Sequence, residues 1–185
     1  MGEMKKRMQA GDWFIADDPE LGEEVRRCAR LLAAFNALDV PAPAERRAIL
    51  EQLFGAIGED AIVRPPFRCD LGYNISFGAR SFVNFGGIFL DTAPITVGDD
   101  VQIGPNVQLL APHHELDSER RRAGWEKALP ITIGDNVWLG GGVIVCPGVT
   151  IGANTVVGAG SVVTKDLPAG VLAVGNPARV IRALD

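Results

Sequence analysis

Residues 131–164 read ITIGDNVWLGGGVIVCPGVTIGANTVVGAGSVVT, and aliphatic side chains fall within them at Ile133, Leu139, Val145, Ile151, Val157 and Val163, each six after the last. Glycine follows four of these, at Gly134, Gly140, Gly152 and Gly158, and the place four after an aliphatic holds only Val137, Val143, Val149, Thr155 or Ser161. A period of six is neither the period of about 3.6 that marks one helix face nor the alternation of a half-buried strand. Short strands broken at regular corners fit it. The residue three after each aliphatic supplies the corner, because Asn136, Gly142, Gly148, Asn154 and Gly160 are of the types that enter left-handed backbone at least cost. The pattern predicts a solenoid whose aliphatics share one core and whose coils stack at a strand spacing of about 4.8 Å.

The same period extends towards the N-terminus. Leu71, Phe77, Val83 and Phe89 are six apart, a two-residue slip follows at 93–96, and Val97, Ile103 and Leu109 restore the spacing. Asn74, Gly86, Asp100 and Asn106 occupy the corner place, with Arg80 and Thr92 departing from it. The coils are therefore expected to begin near Ile62 and to number four to five, with the chain leaving them soon after Thr164. Between Leu110 and Pro130 the pattern lapses into LAPHHELDSERRRAGWEKALP, which is too long and polar for a corner and reads as a loop thrown out from one edge.

Residues 3–57 differ from everything after them and read as helical. Asp18 and Pro19 form a cap and first-turn pair, and Leu21, Val25, Cys28, Leu31, Leu32, Phe35 and Leu38 recur at helical spacing. Pro41 and Pro43 are expected to end this helix, and a second runs from about Ala44 to Ile57. The chain thus divides into a helical segment, 1–58, that caps a raw coil edge, and a solenoid domain, 59–185, with the loop 110–130 and a tail 165–185.

Composition sets milder bounds. With 185 residues, 47% hydrophobic and 22% charged, the chain reads as one soluble globular domain with an elaboration. A net charge of −5 argues against nucleic acid as partner. Cys28, Cys69 and Cys146 are odd in number and widely spaced, which argues against a disulfide framework or a zinc site and fits a cytoplasmic setting. The polar start MGEMKKRMQAGD has no apolar signal core, and no run approaches the length of a membrane span.

Two features carry candidate chemistry. Both histidines of the chain, His113 and His114, lie on the one long excursion from a rigid scaffold, where a titratable group can work or can simply be solvated. Lys165, Arg179 and Arg182 gather near the last coil of an acidic chain, which makes them a candidate phosphate site or ordinary surface cations.

The run from PITIGDNVWLGGG to GNPARVIR, together with PPFRCDLGYNISFG, NFGGIFLD, the HHELD loop and the N-terminal AGDWFIADDPEL, resembles the maltose and galactoside O-acetyltransferase family of hexapeptide-repeat acyltransferases, nearly end to end. The resemblance implies a left-handed parallel β-helix, assembled as a homotrimer with active sites between subunits. It implies direct transfer of acetyl from acetyl-CoA to a hydroxyl of a small sugar, with no acetyl-enzyme and no metal. The catalytic histidine of the family falls on His114, with His113 as the adjacent alternative; an imidazole suits removal of a proton from an alcohol as it attacks a thioester. Asn84, Asp70 and, at a more ambiguous alignment, Asp17 match acceptor-side positions, and Ala16 or Ile15 could stand in Asp17's place. Asn84, Trp138, Gly141, Ala159, Thr164, Lys165, Arg179 and Arg182 match the CoA groove, and a backbone N–H such as that of Gly141 would serve the oxyanion. NFGG after the family asparagine and APHHELD in the loop depart from the family pattern on the acceptor side, which leaves the sugar open. Serine or antibiotic acetyl transfer on the same coils, and a non-enzymatic scaffold, are the other readings. A carbonic anhydrase of the same fold would need three histidine ligands, and the chain has two histidines, side by side.

Overall fold

In the computed structural model, which describes residues 1–38 and 42–184, the six-residue period becomes a three-sided prism of parallel strands. Face I stacks Ala56–Ile57, Ile75–Phe77, Ile95–Val97, Ile131–Ile133 and Thr150–Ile151. Face II stacks Ile62–Val63, Phe82–Val83, Gln102–Ile103, Trp138–Leu139, Val156–Val157 and Val171–Val174. Face III stacks Phe67–Cys69, Gly87–Leu90, Gln108–Leu110, Ile144–Val145 and Val162–Val163. Among the described residues this makes five complete coils and a sixth strand on face II. Alternate residues of each strand turn inward, so Phe77, Val97, Ile133 and Ile151 stack in register on face I and all four are buried, with Ile75, Ile95 and Ile131 forming a second buried column in the three-residue strands.

Register corrects the expected limits of the coils. Cys69, not Leu71, lies beneath Phe89, Leu109, Val145 and Val163 on face III. The first coil is therefore Ile57, Val63 and Cys69, and it begins at Ala56 rather than near Ile62, since Ala56–Ile57 pairs with Ser76 and Phe77 as a strand and not as a helix end. The slip expected once, near Ala93, occurs twice at the same corner, between Cys69 and Phe77 and between Phe89 and Val97. Leu71 turns away from the prism and packs with Met8, Phe14 and Leu21. The upper limit also moves: Leu167 bridges Ile151, Val171–Val174 continues face II, and Arg179–Ala183 then returns antiparallel along it.

The corners behave as their residue types require, with one exchange. On the edge between faces I and II, Asp60, Arg80, Asp100, Asn136 and Asn154 all have φ between 55° and 61°. Arg80 takes this backbone although its residue type departs from the pattern, and its guanidinium holds Asp100 through two bonds of 2.7 Å. Asn74 does not; in the longer corner the left-handed residue is Gly72, φ 80°. Asn136 donates its amide to Asn154 Oδ1 at 2.9 Å. Asn136→Ala removes that bond and strains the corner, so we expect a loss of about 1–2 kcal/mol, read as a fall in the thermal midpoint; an unchanged midpoint would contradict it.

The N-terminal segment is built of α1 (Glu3–Gln9), the strand Phe14–Ile15, α2 (Pro19–Ala37) and α3 (Pro43–Leu53). Asp18 caps α2 by accepting from the Glu20 N–H at 2.9 Å, as its pairing with Pro19 predicts. Pro41 lies outside the described residues, and Pro43 opens α3 rather than closing the helix before it, the position where a missing N–H costs nothing. Phe35, Leu50, Leu53 and Phe54 cover the lowest coil and meet the ring stack of Phe67, Phe77 and Phe89. No described helix is long and apolar enough to cross a membrane.

Candidate active site

All three lengthened corners fall on one edge, between faces III and I. Two are short, 70–74 and 91–94. The third, expected as a loop, is a β-hairpin: Pro112–His114 runs antiparallel to Trp125–Ala128, with α4 (Ser118–Arg122) at its tip. Asp117 caps α4 by accepting from the Arg120 N–H at 2.9 Å, and Arg120 Nε donates to Glu115 at 2.8 Å. Phe14–Ile15 joins the hairpin as a third strand, with Phe14 opposite Glu126. The Arg120 guanidinium lies 5.8 and 5.3 Å from the ring centres of Trp13 and Trp125, and the His113 ring stands edge-on to Trp13 at 5.3 Å. Strand pairing and cation–π contacts therefore fix the arm against the N-terminal segment.

This arrangement brings carboxylates and a histidine together. His114 faces Glu126 across the hairpin, with Nε2 4.0 Å from Oε2; the imidazole is exposed and the carboxylate nearly covered. Glu126 lines a cavity of about 190 Å³ with Asp70, Thr92, Met8, Phe14 and Leu21. Thr92 Oγ1 is buried there without a hydrogen-bond partner, so a ligand oxygen or nitrogen entering the cavity would relieve a group that is costly to leave unpaired. Burial, and after it the nearby charges of Asp91 and Glu126, pushes the Asp70 carboxyl up to about 6. Burial likewise raises Glu126, against the pull of His114. Asp91 is fully buried and raised by burial, while it accepts from the backbone N–H groups of Leu71, Asp70 and Asn74 at 2.8, 3.0 and 3.3 Å. Asp91 is thus the peg that shapes the first corner and sets Asp70 at the cavity.

The remaining candidate residues fall elsewhere on the prism. Asn84, Gly141 and Ala159 share the edge between faces II and III, where Gly142 N donates to Pro105 O and Gly160 N to Gly141 O at 2.8 and 2.9 Å. That edge is tightly stacked: a Cβ at Gly140 would sit 2.6 Å from Ala159 N. Trp138 projects outward from face II, 56% exposed, and Arg179 and Arg182 stand exposed on the returning strand of the same face. Thr164 and Lys165 lie on the histidine's edge, at the top coil, and are exposed. Asp17 is exposed in the turn before α2, and its neighbour Ala16 is the residue that lines the cavity. Within one chain, Asn84 and the groove wall are separated from His114 by the width of face III, roughly 20 Å for six residues at strand rise. Glu126 was not singled out by sequence reasoning, and Thr92 only as a departure from the corner pattern; the signal for Glu126 is its register opposite His114, which the hairpin alone creates.

Comparison with known proteins places this architecture. The maltose acetyltransferase hexapeptide capping motif matches residues 7–58, and the bacterial transferase hexapeptide, six repeats, matches 130–165. Nodulation protein L of Rhizobium meliloti (strain 1021) is 46% identical over 176 residues, covering 95% of this chain and 96% of its own. The crystal structure of a maltose O-acetyltransferase from Clostridium difficile 630 superposes with a TM-score of 0.97 at 46% identity, over 98% of this chain and 97% of that one. A galactoside acetyltransferase in complex with coenzyme A superposes at 0.96 with 40% identity, over 100% of this chain and 92% of that one. The prism is the left-handed parallel β-helix of these enzymes.

Proposed function

The chain belongs to the maltose and galactoside O-acetyltransferase family of hexapeptide-repeat acetyltransferases, and from that premise we propose that it transfers the acetyl group of acetyl-CoA to a hydroxyl of a small sugar. The observation that carries this reading is the position of His114 beside a cavity holding Asp70, Glu126 and the unpartnered hydroxyl of Thr92. Carboxylates and a hydroxyl bind the several donors of a sugar ring, and Met8, Phe14 and Leu21 offer it an apolar wall. His114 takes the proton of the acceptor hydroxyl as its oxygen attacks the thioester carbon. The tetrahedral adduct then collapses, the C–S bond breaks, and CoA leaves as the thiol with the proton His114 gives up. No acetyl-enzyme is needed.

Acetyl-CoA lies along the edge of Gly141 and Ala159 beside Asn84, with Trp138 on its flank. Small residues there let the pantetheine arm reach backbone groups, and Arg179, Arg182 and Lys165 meet the phosphates. Because Asn84, Gly141 and Ala159 sit on one edge of the prism and His114, with Lys165, on another, the complete site forms between copies in a homotrimer. The outward side chains of the faces differ: face III presents Ile88, Ile144 and Val162 together with Arg68 and Gln108, whereas face I presents Ala56, Ser76, Thr96, Thr132 and Thr150. The acceptor reading is tested by following thiol release from acetyl-CoA across sugars, alkyl glycosides, serine and chloramphenicol; release with serine or chloramphenicol alone would overturn it. In the same assay, replacing Arg179 and Arg182 with alanine is expected to raise the KM for acetyl-CoA roughly tenfold, about 1.4 kcal/mol, and that for the acceptor less. Unchanged KM values would remove both arginines from the site.

A further inference from the structure

We propose that Glu126 is a positioning residue for catalysis, holding the His114 imidazole in orientation and stabilising the imidazolium that forms when it accepts the acceptor's proton. The inference rests on His114 being the base. The two residues are direct partners in the antiparallel ladder, so their side chains project from the same face of the hairpin, and Nε2 approaches Oε2 to 4.0 Å. Glu126 stands in the middle strand of a three-stranded sheet, with Phe14 opposite it on the other side. Its side chain is 13% exposed while that of His114 is 61% exposed. The rigid, covered partner is the carboxylate and the exposed, rotatable one is the imidazole, which is the division of labour a positioned base requires.

The charge balance supports the same role. Around the pair stand Asp70 across the cavity, Asp91 behind it in the neighbouring corner, and His113 and Lys127, opposite one another one step along the hairpin; the N-terminal strand offers only Phe14 and Ile15. No cation lines the cavity among the described residues. The positive charge that would answer Glu126 is therefore the one His114 gains during the reaction, and an ion pair formed only then stabilises the transition state rather than the resting enzyme.

Glu126→Gln keeps the size and hydrogen-bonding capacity of the side chain and removes its charge. Measured by thiol release, its kcat is expected to fall roughly 10- to 100-fold, with the KM for acetyl-CoA within about twofold and, decisively, the acidic limb of the kcat profile moved to lower pH. The direction follows from the charge: a carboxylate beside an imidazole favours its protonated form, and an amide in the same place does not. Glu126→Asp, which retains the charge, should restore the limb towards its original position. A fall in kcat with the limb unmoved would reduce Glu126 to a structural strand residue and overturn the proposal, as would full activity in Glu126→Gln. If His114→Ala itself keeps full activity, the base assignment has failed and the role of Glu126 with it.

Discussion

His114→Ala is expected to lose turnover by about 10²- to 10⁴-fold, the range general-base help supplies, equivalent to roughly 3–5 kcal/mol of barrier. The variant should bind CoA as tightly as the parent, because the substitution removes the proposed base and none of the groups assigned to the pantetheine arm or the phosphates. Thiol release measures the first quantity and calorimetric titration with CoA the second. His113→Ala provides the contrast: its ring packs edge-on to Trp13, so its loss loosens the arm without removing a base. Full activity in His114→Ala would sink the assignment, and a collapse confined to His113→Ala would transfer the role to its neighbour.

Phe89→Ala should be the most damaging single truncation in the core. Phe89 is fully buried and its ring lies 5.1 Å from that of Phe67 and 5.9 Å from that of Phe77. Phe54 closes the same group from the helical cap, 5.6 Å from Phe67 and 5.2 Å from Phe77. Removing the ring takes away its transfer free energy and leaves a hole that stacked, hydrogen-bonded strands cannot close, a cost of about 3–5 kcal/mol. For a chain of this length that lowers the thermal midpoint by roughly 6–20 °C. A loss below about 1 kcal/mol would mean that cap and coils do not share one core.

The prism was legible because its period is imposed by geometry: three short strands and three corners per coil leave every sixth side chain pointing inward, and the sequence from Ile133 to Val163 obeys without interruption. Legibility failed where a corner lengthened. Leu71 is six before Phe77 and is buried, so it mimics a hexad, yet the inward residue is Cys69, whose partner in register is Phe89. Spacing cannot tell these apart, since both satisfy an apolar requirement and only strand pairing decides. The site shows the same division. His114 could be named from the residues around it in the chain, whereas Glu126, twelve residues on, becomes its partner only when the segment between them folds back as a hairpin. Thr92 entered only as an exception to the corner pattern; its importance lies in a hydroxyl buried without a partner, a property of packing that composition does not carry.

The confinement of every lengthened corner to one edge has a consequence for how such a chain can change over generations. Residues added at the corner between faces III and I lengthen an arm sideways and leave the ladder above and below in register, as the paired strands on either side of the 111–130 arm demonstrate. The same addition between faces II and III would break the ladder that holds Gly141 against Pro105 and Gly160. Insertions and deletions can therefore accumulate where the acceptor is proposed to bind while the wall assigned to the donor keeps its shape, so substrate range can drift on a scaffold that stays constant.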